Sequence, residues 1–223
     1  MFISSKLART IFQTLGATIG LVALCLQFYL TVSIAPGSGL TYLGGIIVFF
    51  GFMTILTNIL VVLSYLIPLS GRNSMLSIFF SNQTVLSGIL VYIFVVGIAY
   101  HFLLADQWNP KGLALITDLL LHYIVPCLYF VYWILFVKKG SQKFMNSIKW
   151  LVYPLLYIIY ILIRGAISGL YPYHFIDVNI LGYGEVFKNI FFLMIAYIVF
   201  GIVVVLFDKF VSTFINMDKV EER

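Results

Sequence analysis

The chain has 223 residues, of which 62% are hydrophobic and only 9% are charged, and its formal net charge is +5. Soluble domains carry roughly 25% charged residues, so this composition excludes a soluble enzyme or binding module and predicts a polytopic membrane protein. Because the basic residues lie in short loops, the positive charge indicates membrane orientation and not nucleic-acid binding.

Six long apolar segments occupy almost the whole chain. Each is near the length of about 20 residues that a helix needs to cross a bilayer core about 30 Å thick. The segments lack the strict alternation of barrel strands, so we predict membrane helices. The predicted architecture is an all-α bundle of six transmembrane helices that forms one membrane domain over residues 1–223. Its helices cover residues 7–32, 42–67, 77–100, 113–137, 150–170 and 186–207.

The distribution of basic residues predicts the orientation of this bundle. The N-terminal stretch, the loop at Arg72, the loop from Lys138 to Lys149 and the C-terminal tail hold most of the lysine and arginine residues. Cytoplasmic loops are enriched in these residues, so we predict that both termini are cytoplasmic and that the other three loops face outward. The first apolar run is too long for the hydrophobic region of a signal peptide, and we expect a retained helix.

The second predicted helix carries a polar cluster in the stretch FMTILTNIL, residues 52–60. Thr54, Thr57 and Asn58 follow one another at helical spacing and therefore share a face. Such residues commonly form hydrogen bonds between membrane helices or to a backbone carbonyl. The cluster therefore fits either helix packing or the wall of a polar site.

The fourth predicted helix contains the stretch DLLLHYIVP, from Asp118 to Pro126. An ionisable side chain at bilayer depth costs about 2.5–3.5 kcal/mol on insertion scales, so an acid and an imidazole here indicate a functional site. Asp118 and His122 are four residues apart and share a helix face. Three roles remain open for His122: a structural histidine, a general base, or a metal or haem ligand. Zinc takes three or four ligands, and only Asp118 is near.

The fifth predicted helix carries a stripe of Tyr153, Tyr157, Tyr160 and Arg164 at intervals of three and four residues. This stripe fits packing with an arginine that snorkels toward the interface. It equally fits an inward face whose hydroxyls and guanidinium hold a carboxylate or an ester oxygen. A third arrangement is an ion pair between Arg164 and Asp118.

The polar groups of these three helices fall at similar depths. At a rise of about 1.5 Å per residue, Thr54 lies roughly 18 Å below the outer surface, His122 roughly 13 Å and Arg164 roughly 9 Å. All three, with Asp118, fall between the outer surface and the bilayer midplane. We therefore expect one cavity that opens toward the outer leaflet.

Four stretches resemble the bacterial six-helix membrane proteins of the Pr-six-Pr family: residues 52–60, 119–136, 152–166 and 169–177. This resemblance covers nearly the whole chain. A more remote resemblance, through Phe-x-Thr, His-x-x-x-Pro and Tyr-Pro-x-x-Phe, is to the androgen-induced and androgen-dependent six-helix proteins of animals. That group hydrolyses fatty acid esters of hydroxy fatty acids within the membrane, with a threonine and a histidine.

The resemblance implies that Thr54 is a nucleophile and His122 a general base. The histidine is marked by Pro126, four residues later. The animal pattern has an aspartate near the positions of Thr57 and Asn58, so Thr57 remains an alternative nucleophile.

The chemistry of such a pair is consistent with these residue types. A hydroxyl is a weak nucleophile until an adjacent base removes its proton, and a neutral imidazole suits that task. Asp118 can orient the imidazole as a third member. Asn58, Tyr157 or Arg164 can stabilise the oxyanion.

The sequence thus favours a membrane-embedded hydrolase of lipid-like esters, in the bacterial plasma membrane. We predict a membrane lipid or fatty acid ester as its ligand, with no cofactor, no metal and no nucleic acid. A transporter with helices broken at Pro126 and Pro154 remains open, although no repeat is evident. A non-catalytic membrane scaffold also remains open, as does the oligomeric state.

Overall fold

The computed structural model describes residues 5–107 and 109–221, and this part of the chain is helical without strands. Trp108, in a loop that the sequence places outside the membrane, lies outside the described residues. The helices are α1 (Lys6–Ile34), α2 (Tyr42–Gly51), α3 (Met53–Leu69), α4 (Met75–Ser81), α5 (Gln83–Leu103), α6 (Leu113–Leu119), α7 (Val125–Phe136), α8 (Met145–Lys149), α9 (Val152–Ser168) and α10 (Val178–Glu221). A π-helical segment, Leu120–Ile124, joins α6 to α7.

Five helical stretches are long and apolar enough to cross a membrane, and α2 with α3 makes a sixth if that bent pair is one span. These stretches support an integral membrane protein. In α5, 61% of the most apolar window is buried, against 22% to 33% in the other four. The two larger core clusters both include side chains of α3 and α5, which places these helices at the centre of the bundle.

The predicted helix over residues 42–67 is bent by 73° at Phe52, which has an extended backbone. At the bend Gly51 makes room for a side chain of another helix, because a Cβ atom on Gly51 would lie 1.8 Å from Nη1 of Arg164. The backbone groups released by the break find side-chain partners. Tyr157 donates to the carbonyl of Gly51 at 2.9 Å, and the Met53 N–H donates to the hydroxyl of Tyr173 at 3.0 Å.

Other predicted helices differ at their ends or are interrupted. The predicted segment 77–100 is α4 and α5, which are separated at Asn82, whose side chain caps α5 through Thr84 N at 2.8 Å. The segment 150–170 is preceded by the short helix α8. The last helix begins earlier than residue 186 and contains a break at Gly182, where φ is 71°.

Candidate functional site

Thr54 and His122 meet between α3 and the π-helical segment. The Oγ1 atom of Thr54 lies 3.3 Å from Nε2 of His122, within hydrogen-bond distance. Thr54 is the second residue of α3, so the bend at Phe52 places its side chain at the start of a helix instead of within one. His122 is the central residue of the π-helical segment that precedes Pro126. Each member of the pair therefore lies at an irregular point of its helix.

The second ring nitrogen of His122 faces two acceptors. Its Nδ1 lies 3.2 Å from Oδ1 of Asp118 and 3.1 Å from the Asp118 carbonyl oxygen. A carbonyl oxygen can only accept a hydrogen bond, so Nδ1 carries the ring proton of the neutral imidazole. Nε2 is then free to accept a proton from Thr54. Thr54, His122 and Asp118 have the connectivity of a hydroxyl, base and acid triad.

Tyr100 of α5 holds both Asp118 and His122. Its hydroxyl donates to Oδ2 of Asp118 at 2.7 Å, and its ring stacks on the imidazole with 3.6 Å between centroids and 11° between planes. The hydrogen bond fixes the carboxylate while the stack fixes the plane of the imidazole. The sequence analysis assigned no role to Tyr100, because it lies on a different helix from its partners and no spacing rule links them.

A cavity of about 370 Å³ lies beside this triad. Its wall includes the side chains of the triad together with Tyr100 and Tyr173. Gln27 and Gln107 add further polar groups, and Phe52, Ile55 and Leu104 add apolar surface. Ligand pockets commonly combine an apolar lining with a few convergent polar groups, and this cavity has that character.

Tyr173, in the loop between α9 and α10, brings a second hydroxyl to the cavity. This hydroxyl accepts a hydrogen bond from Met53 N–H beside Thr54. Burial raises the pKa of Tyr173, while a hydrogen bond with Thr54 lowers it by less. The phenol therefore stays protonated and can donate to an oxygen that becomes negative next to Thr54. The motif Tyr-Pro-x-x-Phe contains Tyr173, but the sequence analysis gave this residue no role.

Thr57 and Asn58 lie away from the cavity. The Thr57 hydroxyl is 2.9 Å from the hydroxyl of Tyr153, on the side of α9. Asn58 is completely buried, and its amide nitrogen donates to the carbonyls of Thr54 at 2.8 Å and Leu121 at 3.3 Å. Thr57 thus belongs to a helix contact, whereas Asn58 joins the backbone of α3 to the π-helical segment. Both amide hydrogens of Asn58 are used, so it has none for an oxyanion.

The stripe on α9 contacts the bend of α2 and α3. Tyr157 and Tyr160 donate to the carbonyls of Gly51 and Phe50, at 2.9 and 3.4 Å. Arg164 lies against Gly51, and its Nε and Nη1 atoms are buried without a hydrogen-bond partner among the described residues.

The ion pair considered between Arg164 and Asp118 does not form in the described part of the chain. The Asp118 carboxylate is instead shared by His122 and Tyr100. The guanidinium lies against Gly51, whose missing side chain leaves room for it. This contact could not be deduced from matching depths alone, because depth does not specify which way a side chain points around its helix.

Within residues 5–107 and 109–214, no group of three or more His, Cys, Asp or Glu side chains is arranged to hold a metal ion. The side chains of Thr54, His122, Asp118, Tyr100 and Tyr173 bring a hydroxyl, an imidazole, a carboxylate and two phenols to the cavity.

Comparisons with models of protein families, with curated proteins and with solved structures found no match to this chain.

Proposed function

We propose that this protein is a membrane-embedded hydrolase of lipid-like esters, of the fatty acid ester of hydroxy fatty acid type. The observation that carries the proposal is the contact of 3.3 Å between Thr54 Oγ1 and His122 Nε2 beside a cavity of about 370 Å³. The resemblance of the motifs to the Pr-six-Pr and androgen-induced families agrees with it. The loop charges favour cytoplasmic termini and a site in the outer half of a bacterial plasma membrane.

The reaction would proceed through an acyl-enzyme. Thr54 Oγ attacks the ester carbonyl carbon while its proton passes to Nε2 of His122, and the carbonyl oxygen becomes an oxyanion. Collapse of this intermediate breaks the bond to the alcohol oxygen, which takes the proton from His122. Water then attacks the acyl-threonine and gives a proton to Nε2 of His122. As the bond to Thr54 breaks, His122 returns this proton to the threonine oxygen, and the fatty acid is released.

The surrounding residues have distinct parts in this scheme. Asp118 keeps the proton of the neutral ring on Nδ1 and stabilises the imidazolium that forms after each proton transfer. Tyr173 is the donor best placed to stabilise the oxyanion, since it lines the cavity and contacts the first residues of α3. Tyr157 and Asn58 contribute by hydrogen bonds to the backbone near Thr54 and His122, at the carbonyls of Gly51, Thr54 and Leu121.

The test is hydrolysis of a fatty acid ester of a hydroxy fatty acid by protein purified in detergent. We expect the wild type to release both fatty acids and the Thr54→Ala and His122→Ala variants to release none above the buffer rate. Thr57→Ala is the matched control. It also replaces a threonine by alanine on α3, one turn from Thr54, and should retain activity. Mass spectrometry of a slow ester substrate should locate an added acyl group on Thr54. Wild-type protein without activity, or equal activity in all four proteins, would refute the proposal.

A transporter is the second candidate, and the 73° bend at Phe52 is the observation that favours it. Transporter sites are commonly built from discontinuous membrane helices near the bilayer midplane. Uptake of a solute into proteoliposomes without its chemical conversion would support this function over the hydrolase.

A further inference from the structure

We propose that an apolar groove between α5 and α10 receives the acyl chain of the substrate and leads it to Thr54. This inference rests on the proposed hydrolase function, which it extends by assigning separate sites to the two halves of the ester. It predicts that Ala99, which lines both the groove and the smaller cavity beside Thr54, determines which acyl chains are accepted.

The groove has a volume of about 360 Å³. On α10, Phe192, Ala196 and Phe200 recur every four residues and line one side of it. Ala99 of α5 and Phe175 of the preceding loop line other parts. The two alanines leave space between the helices that larger side chains would fill, so the groove is a consequence of small residues at specific positions.

Shared wall residues place the groove close to the catalytic cavity. A smaller cavity, of about 40 Å³, shares Ala99 and Phe175 with the groove. It also shares Thr54, Tyr100 and Tyr173 with the cavity of about 370 Å³. Thr54 therefore borders both the catalytic cavity and the smaller cavity that adjoins the groove. An ester whose carbonyl carbon lies at Thr54 can extend its acyl chain to one side and its alcohol portion to the other.

The groove and the catalytic cavity differ in polarity, as the two halves of the ester do. The groove has one polar side chain, Asn189, whose amide donates to the Phe175 carbonyl at 2.9 Å. The catalytic cavity instead contains Asp118, His122 and two glutamines. A hydrocarbon chain suits the groove, while the hydroxy acid portion and the attacking water suit the cavity.

The outer opening of the groove is suited to lipid. Phe102 and Phe192, on α5 and α10, line the groove and are 76% and 58% exposed. Both helices are long and apolar enough to span a membrane, so these exposed rings face acyl chains if the bundle is inserted. Lipid tails are as apolar as the groove, and entry therefore gains little hydrophobic free energy. Selection must then come from shape, which a single bulky substitution can change.

The first experiment compares the hydrolysis of an acetyl and a dodecanoyl ester of the same chromogenic alcohol by the wild type and Ala99→Phe. We expect the variant to lose about tenfold in kcat/KM for the dodecanoyl ester relative to the acetyl ester, because the larger side chain overpacks the space that a long acyl chain would occupy. Ala166→Phe, on an exposed position of α9, is the matched control and should leave the ratio unchanged. An unchanged ratio in Ala99→Phe would overturn the proposal.

A second experiment separates failure of the groove from failure of the hydrolase. A non-hydrolysable ether analogue with a photoactivatable group at the end of its alkyl chain is bound to the wild type, irradiated and mapped by mass spectrometry. We expect crosslinks in α5 and α10 that Ala99→Phe prevents and Ala166→Phe does not. This result without any ester hydrolysis would retain the groove and reject the hydrolase. Crosslinks spread over all lipid-facing helices, unaffected by Ala99→Phe, would reject the groove.

Discussion

The change Asp118→Asn tests the triad most directly, because it removes a charge while it nearly preserves the shape of the side chain. The carboxylate lies 3.2 Å from Nδ1 of His122. At an effective dielectric constant of about 20, two unit charges at this distance interact by 332/(20 × 3.2), or about 5 kcal/mol. If His122 becomes charged in the transition state, loss of this interaction lowers kcat by up to several thousandfold, since about 1.4 kcal/mol corresponds to a factor of ten.

The assay is steady-state hydrolysis of a fatty acid ester, with kcat and KM determined separately for each variant. We expect the loss in kcat, because the imidazolium forms only during reaction and not in substrate binding. Asp106→Asn is the control, since this exposed aspartate lies in the turn after α5 and contacts neither member of the pair. A decrease of less than tenfold in properly folded Asp118→Asn protein would refute the role of the carboxylate as a partner of a catalytic base.

Three other perturbations give expected outcomes. Thr54→Ala should abolish ester hydrolysis, whereas Thr57→Ala should retain it and lower the free energy of unfolding by about 1 kcal/mol, the usual value of one hydrogen bond, as measured by denaturation in detergent. Tyr100→Phe keeps the stack on the imidazole and loses the hydrogen bond that fixes the Asp118 carboxylate beside Nδ1, so kcat should fall with KM little changed. Burial lowers the pKa of Lys139 from its ordinary 10.5 to about 7, against a smaller opposite effect of a nearby carboxylate. Between the folded-state pKa of about 7 and the ordinary pKa of 10.5, Lys139 binds a proton in the unfolded chain but not in the folded chain. The Tm should therefore rise from pH 7 toward pH 10. This rise should disappear in Lys139→Met.

The sequence was most informative where the site depends on local spacing. Asp118 and His122 are a helical pair, and the structure brings their side chains within 3.2 Å. An ionisable residue at membrane depth is energetically costly, so this single sequence was enough to identify both Asp118 and His122 as candidate site residues. Thr54 was paired with His122 by a resemblance and by matching depth, and the two atoms lie 3.3 Å apart. Their catalytic roles stay predictions.

The sequence was least informative where a contact depends on rotation about a helix axis. For Tyr157 and Arg164 the sequence left both helix packing and an inward face toward the site open, and in the structure both contact the bend near Gly51. Depth along the membrane fixes one coordinate of a side chain, whereas its partner depends on how the helix is turned. Tyr173 was missed for a related reason: its contact with Met53 N–H requires a break in a segment that reads as one continuous apolar helix.

The π-helical segment shows how a local signal and distant residues together determine the site. Pro126 has no N–H, so it cannot donate to the carbonyl of His122 four residues earlier, and a regular helix is disfavoured there. Instead, the N–H of Val125 reaches the carbonyl of Leu120, five residues back. The Leu121 carbonyl accepts from Asn58 of α3, which ties the segment to the helix that carries Thr54.

The carbonyl of His122 itself faces α5. A Cβ atom on Gly97 would lie 2.9 Å from this oxygen, so only a glycine allows the two backbones to approach so closely. Pro126 predicts that the His122 carbonyl lacks its helical hydrogen-bond donor. Where this backbone then lies is determined by its packing against α3 and α5. The position of the imidazole therefore depends on Asn58 and Gly97, which contact the backbone of the π-helical segment. Because both act on the backbone of the π-helical segment, they place His122 relative to Thr54 independently of the carboxylate of Asp118.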